Sequence, residues 1–293
     1  MRDRIRFTLL DLILLIILFS GAAYVLFKMK MELHYEWDWS AVASYIVRYD
    51  AAAESYVPGL LLAGLAVTFK LSVWSTLFAS IIGLFMGLMK ISKNVILKLT
   101  SSAYVGVVRN IPSIVFIFIF YFFISGQIAD AFEFNYRSDS VSWYGTIFSF
   151  LFAPSSMLAV FISAVFTLAL YEGAYMTEIV RAGIESVEKG QGEAADALGL
   201  SRYQKMRHIV LPQAFKRILP PMAGQIISVI KDSAIVSVIS VQDLTFRGTE
   251  LMASTYKTYE IWITITLMYF ILTYGCSIAV GSVEKRMERK GYV

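Results

Sequence analysis

The sequence contains a single cysteine, Cys276, set in an apolar run. One cysteine excludes an intrachain disulfide and a cysteine-built metal cluster. As a small buried hydrophobe it needs no further role. Histidine is almost as scarce: His34 and His208 are far apart and form no H-E-x-x-H pattern, so no metal site is expected. No G-x-x-x-x-G-K-[ST] stretch is present, which leaves the chain without a P-loop to hold ATP phosphates. A G-x-S-x-G elbow and a paired intramembrane aspartate constellation are missing too, so an intramembrane enzyme lacks its chemistry. Charge is sparse, at 16% of residues, against ~25% in soluble chains. The net charge of +4 comes from basic residues scattered between apolar runs, which argues against nucleic-acid binding. Internal repeats, low-complexity runs and flexible linkers are also absent.

What is abundant is apolar: 57% of the 293 residues are hydrophobic and mean hydropathy is +0.64. A hydrocarbon core ~30 Å thick needs about 20 apolar residues of helix. Leu9 to Phe27 is the first such run, between Arg2, Arg4, Arg6 and Lys28, Lys30. Its core is too long for a cleaved signal and no small-x-small site follows, so a retained anchor helix is expected. Further runs are Leu60 to Met89, Ser113 to Ile128, Met157 to Tyr175 (continuing toward Val187), Ile218 to Val241 and Ile261 to Val280. Pro220 and Pro221 should break the fifth run. The aromatic stretch Val141 to Phe152 is too short to span and is expected to lie at the outer interface. The expected fold is an all-α polytopic membrane protein of about six spans. Its parts are an anchor helix (1–28), an acidic and aromatic extracytoplasmic loop (29–58), a five-helix core (59–284) and a basic tail (285–293).

Loop charge orients these spans. With the N-terminus inside, eighteen basic residues fall in inside segments and six outside, while Lys70 and Lys231 lie within spans. Both termini are therefore expected in the cytoplasm.

One stretch interrupts the apolar pattern: "EAADALGLSRYQKMRHIVLPQA", Glu193 to Ala214. Loop charge places it inside. Alanines favour a first short helix, about Gly192 to Leu198, and Gly199 provides its left-handed cap. Ser201 and Gln204 form a capping box for a second helix. Tyr203, Met206 and Val210 make an apolar stripe, and Pro212 should close the element after Leu211. The "GQG" at Gly190 to Gly192 is too short for a phosphate cradle and reads as a turn. The pattern describes a compact amphipathic knob, or else a loop lying on the membrane surface.

This stretch resembles the EAA motif of ABC importer permeases, through Glu193, Ala194, Ala195, Gly199, Leu200, Ile209, Leu211 and Pro212. The flanks "GAYMTEIVRAGIESVEKGQGEAADALGL", "LPQAFKRILPPMAGQIISVIKDSAIVSVISVQDL" and "GLLLAGLAVTFKLSVWS" are similar to the polar amino-acid subfamily, over about residues 54 to 285. The resemblance implies a type I permease core whose coupling loop, residues 190–214, docks into a cytoplasmic ABC ATPase dimer. Glu193 and Gly199 carry over as the main coupling positions. It further implies a second permease chain, identical or homologous, an extracytoplasmic solute-binding protein, and a bacterial inner membrane. ATP and Mg would be used by the ATPase; this chain would bind no cofactor and catalyse no covalent chemistry. Two segments depart from the family pattern. "RNIPSIVF" keeps Arg109 and Pro112 but has Phe116 where Gln is usual, and "KDSAI" has Ser233 and Ala234 for Thr-Ser.

A charge inside a span costs at least ~2.5–3.5 kcal/mol, so it faces a partner or a water-filled cavity. Lys70, Glu172, Lys231 and Asp232 are such charges, and Lys70 and Asp232 fall at similar depth. They either pair or line a pathway and meet the carboxylate or ammonium of a zwitterion. Glu172, in "YEGAY", is a candidate for the ammonium, and Arg109 stands at the approach. Gly83 and Gly87 form a GxxxG pair suited to close helix packing. A secondary transporter or channel, driven by an ion gradient through the buried acids, is the alternative. Such a carrier has no need of the cytoplasmic knob, and the repeat symmetry of many carriers is missing.

Overall fold

A computed structural model describes residues 8–32, 35–52, 54–125, 127, 149–154 and 157–289. The chain divides into two units, Met1–Ser40 and Ala41–Val293. In the first, helix α1 (Leu9–Glu32) starts at Thr8, whose amide and hydroxyl both donate to Asp11 at 2.8 and 2.7 Å. Leu9, Leu12, Ile16 and Phe19 are all exposed, so its surface is apolar all round, as for a helix immersed in lipid. Beyond it the Trp37 and Trp39 rings stack at 5.9 Å.

The second unit opens with a short helix α2 (Val42–Ile46) and an antiparallel hairpin, β1 (Val47–Asp50) and β2 (Ser55–Pro58). The hairpin was not expected from the sequence, where residues 29–58 read as loop. Alternation over "VRYD" and "SYVP", rich in β-branched and aromatic residues, was the available signal.

Helix α3 (Leu60–Lys90) and helix α6 (Leu158–Glu185) form the central pair. The buried residues of α3 are Leu61, Gly64, Thr68, Leu71, Ser72, Ser75, Ala79, Gly83 and Gly87, a mostly small stripe that, Ser72 aside, runs at intervals of three and four. That spacing keeps one face toward the neighbour, and small residues let backbones approach. A Cβ on Gly83 would lie 2.5 Å from Met176 Cβ, and one on Gly87 would lie 2.6 Å from Val180 Cγ1. The GxxxG pair therefore sets how closely α3 and α6 approach. Lys90 pairs with Glu178, which also pairs with Arg181, tying the same two helices together beside the Gly87 contact.

Helix α4 (Val95–Asn110) is capped by Asn94, which accepts from Ile96 N at 2.9 Å. It turns through 112° into α5 (Ser113–Phe120), which continues as a π turn, Tyr121–Ser125. Pro112 causes the corner: it forces Ile111 to φ −97°, ψ 133°, the extended conformation required before proline. The stretch between the second and third expected runs thus holds a full helix of its own. Of the expected interfacial stretch, residues 141–148 lie outside the described residues.

After α6 come α7 (Lys189–Ala197), α8 (Arg202–Lys205), a π turn (Met206–Val210) and α9 (Leu211–Asp232). The expected break at Pro220-Pro221 does not occur: α9 runs through both. Membrane helices tolerate proline where neighbours and local adjustments satisfy the freed carbonyls. The regular helix ends instead at Asp232, tightening to a 3-10 stretch, Ser233–Ile239, that Ser240 stops at φ 64°. Two helices follow, α10 (Leu244–Thr255) and α11 (Thr258–Arg289). Among the described residues four helices are long and apolar enough to cross a membrane, five if the bent α4–α5 pair is counted as one span. The all-α polytopic fold is confirmed.

Candidate functional site

Two arrangements carry chemistry: the exposed loop at one end of the bundle and a buried acid cluster between α6 and α9. The loop's shape is local. Helix α7 ends where Gly199 adopts φ +72°. Leu200 N donates to Ala195 O at 3.1 Å and Gly199 N to Asp196 O at 3.0 Å, the paired bonds of a Schellman cap. Ser201 then accepts from Gln204 N at 3.3 Å while Gln204 Oε1 accepts from Ser201 N at 2.9 Å. Lys205 Nζ binds both oxygens of Asp196 at 2.7 Å and so ties the second helix back to the first.

The capped corner is the one expected, but three details differ. Gly190 to Gly192 are not a turn; they form the first turns of α7. Pro212 does not end the element; it follows the π turn directly, and the helix runs on through it as α9. The stripe of Tyr203, Met206 and Val210 is split. Val210 packs with Val180, Ile184 and Ala214, whereas Tyr203 is 68% exposed and receives a 2.9 Å bond from Arg207. The π turn at Met206–Val210 is the cause, since its wider pitch changes the helical phase. Leu211 and half-buried Ile209 anchor the loop's far end to the bundle. Glu193, Ala194, Gly199 and Leu198 face outward, Ala195 is buried and Leu200 half-buried. Leu198, 78% exposed, was not singled out from the sequence.

The second arrangement centres on Glu172, 1% exposed at the middle of α6. Its Oε2 accepts from Gln225 Nε2 at 2.6 Å, and its buried Oε1 meets no donor among the described residues. Asp232, on the same helix as Gln225, lies close enough to interact with Glu172 electrostatically. Gln225 was missed; its place seven residues before Asp232, on one face of α9, was the signal. Lys70 does not pair with Asp232. Its ammonium donates to Ser149 O at 3.1 Å and lies 5.7 Å from the Phe150 ring centroid. Lys231 is exposed. Arg109 is exposed too, its guanidinium 5.2 Å from the Tyr175 ring centroid. The structure thus brings together two of the five intramembrane or approach charges and separates the other three. Among the described residues no cluster of His, Cys, Asp and Glu could hold a metal ion.

A third feature ties the helices at the end of the bundle opposite α7. Asp243, fully buried, caps α10 by accepting from Phe246 N at 2.8 Å, and Tyr269 OH donates to it at 3.3 Å. It lies outside the spans. Burial pushes its carboxyl up to about 7, against the lowering effect of the backbone bonds.

The bundle of long apolar helices is that of a multi-pass membrane protein, and the comparisons give its family. Residues 79–289 match the model for "binding-protein-dependent transport system inner membrane component", and the chain belongs to that family. It is 33% identical over 226 residues to the probable glutamine ABC transporter permease protein GlnM of Bacillus subtilis (strain 168), covering 74% of this chain and 91% of that one. It is 30% identical over 253 residues to the glutamine transport system permease protein GlnP of Escherichia coli (strain K12), covering 86% and 99%. Among solved structures, a chain of an amino acid ABC transporter crystallised with histidines superposes with a TM-score of 0.65 at 30% identity. It covers 86% of this chain and all of that one. A chain of the MetNI methionine ABC transporter, in an inward-facing conformation, shares the fold at a TM-score of 0.60 and 20% identity. The chain is therefore an ABC importer permease and a multi-pass membrane protein.

Proposed function

We propose that this permease carries a polar amino acid inward by alternating access, driven by a separate cytoplasmic ABC ATPase dimer. The observation that carries the reading is the loop Lys189 to Pro212. It is rigidly capped, yet it turns Glu193, Ala194, Leu198, Gly199 and Tyr203 to the outside, where a partner groove would take them. ATP and Mg serve the ATPase, and this chain does no covalent chemistry of its own. A second permease chain, identical or homologous, completes the pathway, and an extracytoplasmic binding protein delivers the solute. Both termini then lie in the cytoplasm.

The amino-acid class is supported by relatives named for glutamine and by the structural neighbour crystallised with histidines. Glu172, with its unpartnered oxygen, and Asp232 beside it form the acidic point of the pathway. A substrate ammonium there would satisfy a buried acceptor that is otherwise costly to leave open. Lys70, Lys231 and Arg109 serve the pathway only after the helices move, because none reaches this cluster at present.

The test is co-purification followed by uptake. The full chain, extracted in mild detergent, should retain an ATPase, and the reconstituted complex should take up amino acids only with ATP. Uptake driven by an ion gradient without ATP, or a chain that never retains an ATPase, would overturn the reading.

A further inference from the structure

At the end of the bundle opposite α7 lies a partly open cavity of about 180 Å³. Its walls come from the first turns of α3, through Ala63 and Val67, and from the start of α6, through Met157 and Val160. These are apolar. Its polar lining is Gln242 and Arg247, on the turn after the 3-10 stretch and on α10. A cavity of ~150 Å³ admits a benzene-sized molecule, so this one has room for a small amino acid.

The chemistry of that polar end is one-sided. Arg247 donates from Nη1 to Glu250 at 2.7 Å and from Nη2 to Gln242 Oε1 at 2.6 Å, while its buried Nε has no partner among the described residues. The Gln242 carbonyl is thus committed to the guanidinium, which leaves the amide NH2 to donate elsewhere. What remains is a guanidinium N–H and an amide NH2, and among the described residues the other side chains lining the cavity are apolar. Donors alone match a carboxylate, and the edge of a guanidinium is the side chain best shaped for one. A buried N–H without a partner costs free energy that a bound carboxylate would recover. The site is far along the chain from Glu172 and uses none of the residues of that cluster.

We propose that this cavity is a receiving subsite that binds the carboxylate of a small amino acid through Arg247 and Gln242. Its side chain or α-carbon packs against Val67, Met157 and Val160. The inference rests on the transport reading above and adds a first station to it, ahead of the acid cluster. Opposite charge at the two stations suits a zwitterion: donors hold its carboxylate here, and the acids hold its ammonium deeper in.

The experiment uses the complex of the full chain with its ATPase, without a binding protein. Cys276→Ser removes the native thiol, and Met157→Cys places a reporter in the cavity wall. Glutamine should slow maleimide labelling about threefold at twice its dissociation constant, and the α-amide of glutamine, which has no carboxylate, should not. Arg247→Gln should abolish the protection, and Gln242→Leu should weaken it while keeping the Arg247–Glu250 pair. If Arg247→Gln fails to assemble with the ATPase, Gln242→Leu decides. Equal protection by glutamine and its amide, full protection in either variant, or no protection at concentrations that saturate uptake would overturn the subsite. ATP-driven uptake by the parent complex with its binding protein added, measured in parallel, keeps the two readings apart. Uptake without protection removes the subsite alone, whereas absence of amino-acid uptake removes the transport reading.

Discussion

The exposed loop and the buried acid cluster are built on opposite principles. The loop's polar groups are satisfied by neighbours a few residues away: Gly199 to Asp196, Leu200 to Ala195, Ser201 to Gln204, Lys205 to Asp196. It is complete in itself and presents a finished surface. Glu172 instead takes its partner from another helix, Gln225, 53 residues away, and still has an oxygen unpaired. On the proposed reading, the part that docks can be rigid and finished alone. A part meant to meet a passing ligand has to be left unsatisfied, at a cost in stability that only the ligand offsets.

Four substitutions bear on that contrast. The largest effect should come from Glu193→Lys, which reverses the charge on the docking surface while leaving every cap bond in place. Uptake should fall more than about 30-fold, as for losing ~2 kcal/mol at an interface hot spot. The variant should insert and fold normally, read by its melting curve; unimpaired uptake would break the contrast from the loop side. Glu172→Gln comes next. Uptake should drop about tenfold, near 1.4 kcal/mol, with the ATPase still bound. Parent-like transport kinetics in that variant would show the unpaired acid to be merely structural.

Gly199→Ala tests whether the loop's shape matters as well as its charge. Alanine at φ +72° should cost about 1–2 kcal/mol of local stability, weakening ATPase retention by a few-fold without touching Glu193. Full retention would mean that the corner is not needed. The smallest effect is expected at Asp243, a buried acid that does have its partners. Its carboxyl is raised from 3.8 to about 7 by burial. A raised acid stabilises the fold most fully below its unfolded value and loses that contribution as pH rises through the folded one. Melting temperature should therefore fall between about pH 4 and 7 in part through this group. Asp243→Asn keeps the cap and should flatten that slope. An unchanged slope would show that Asp243 titrates as it does unfolded.

Much of the loop was legible because its determinants are short-range. A glycine two residues before a serine–glutamine box announces a corner in any context, and loop charge announces the side of the membrane. The misreadings at Pro212, Pro220 and Pro221 share one cause. A proline ends a helix only if nothing else satisfies the backbone, and whether anything does depends on position in the helix and on neighbours. The π turn that separates Tyr203 from Val210 also left no mark in the residue pattern.

By itself the sequence determined the apolar spans, the capped loop and the family, because length, hydropathy and local hydrogen bonding are properties of contiguous residues. Only the tertiary structure decided that Glu172 faces Gln225 and Asp232, that Lys70 turns to Ser149, and that Arg247 keeps an open donor beside a cavity. Such pairings join residues many turns apart, and helix packing at sites such as Gly83 against Met176 sets which of them meet.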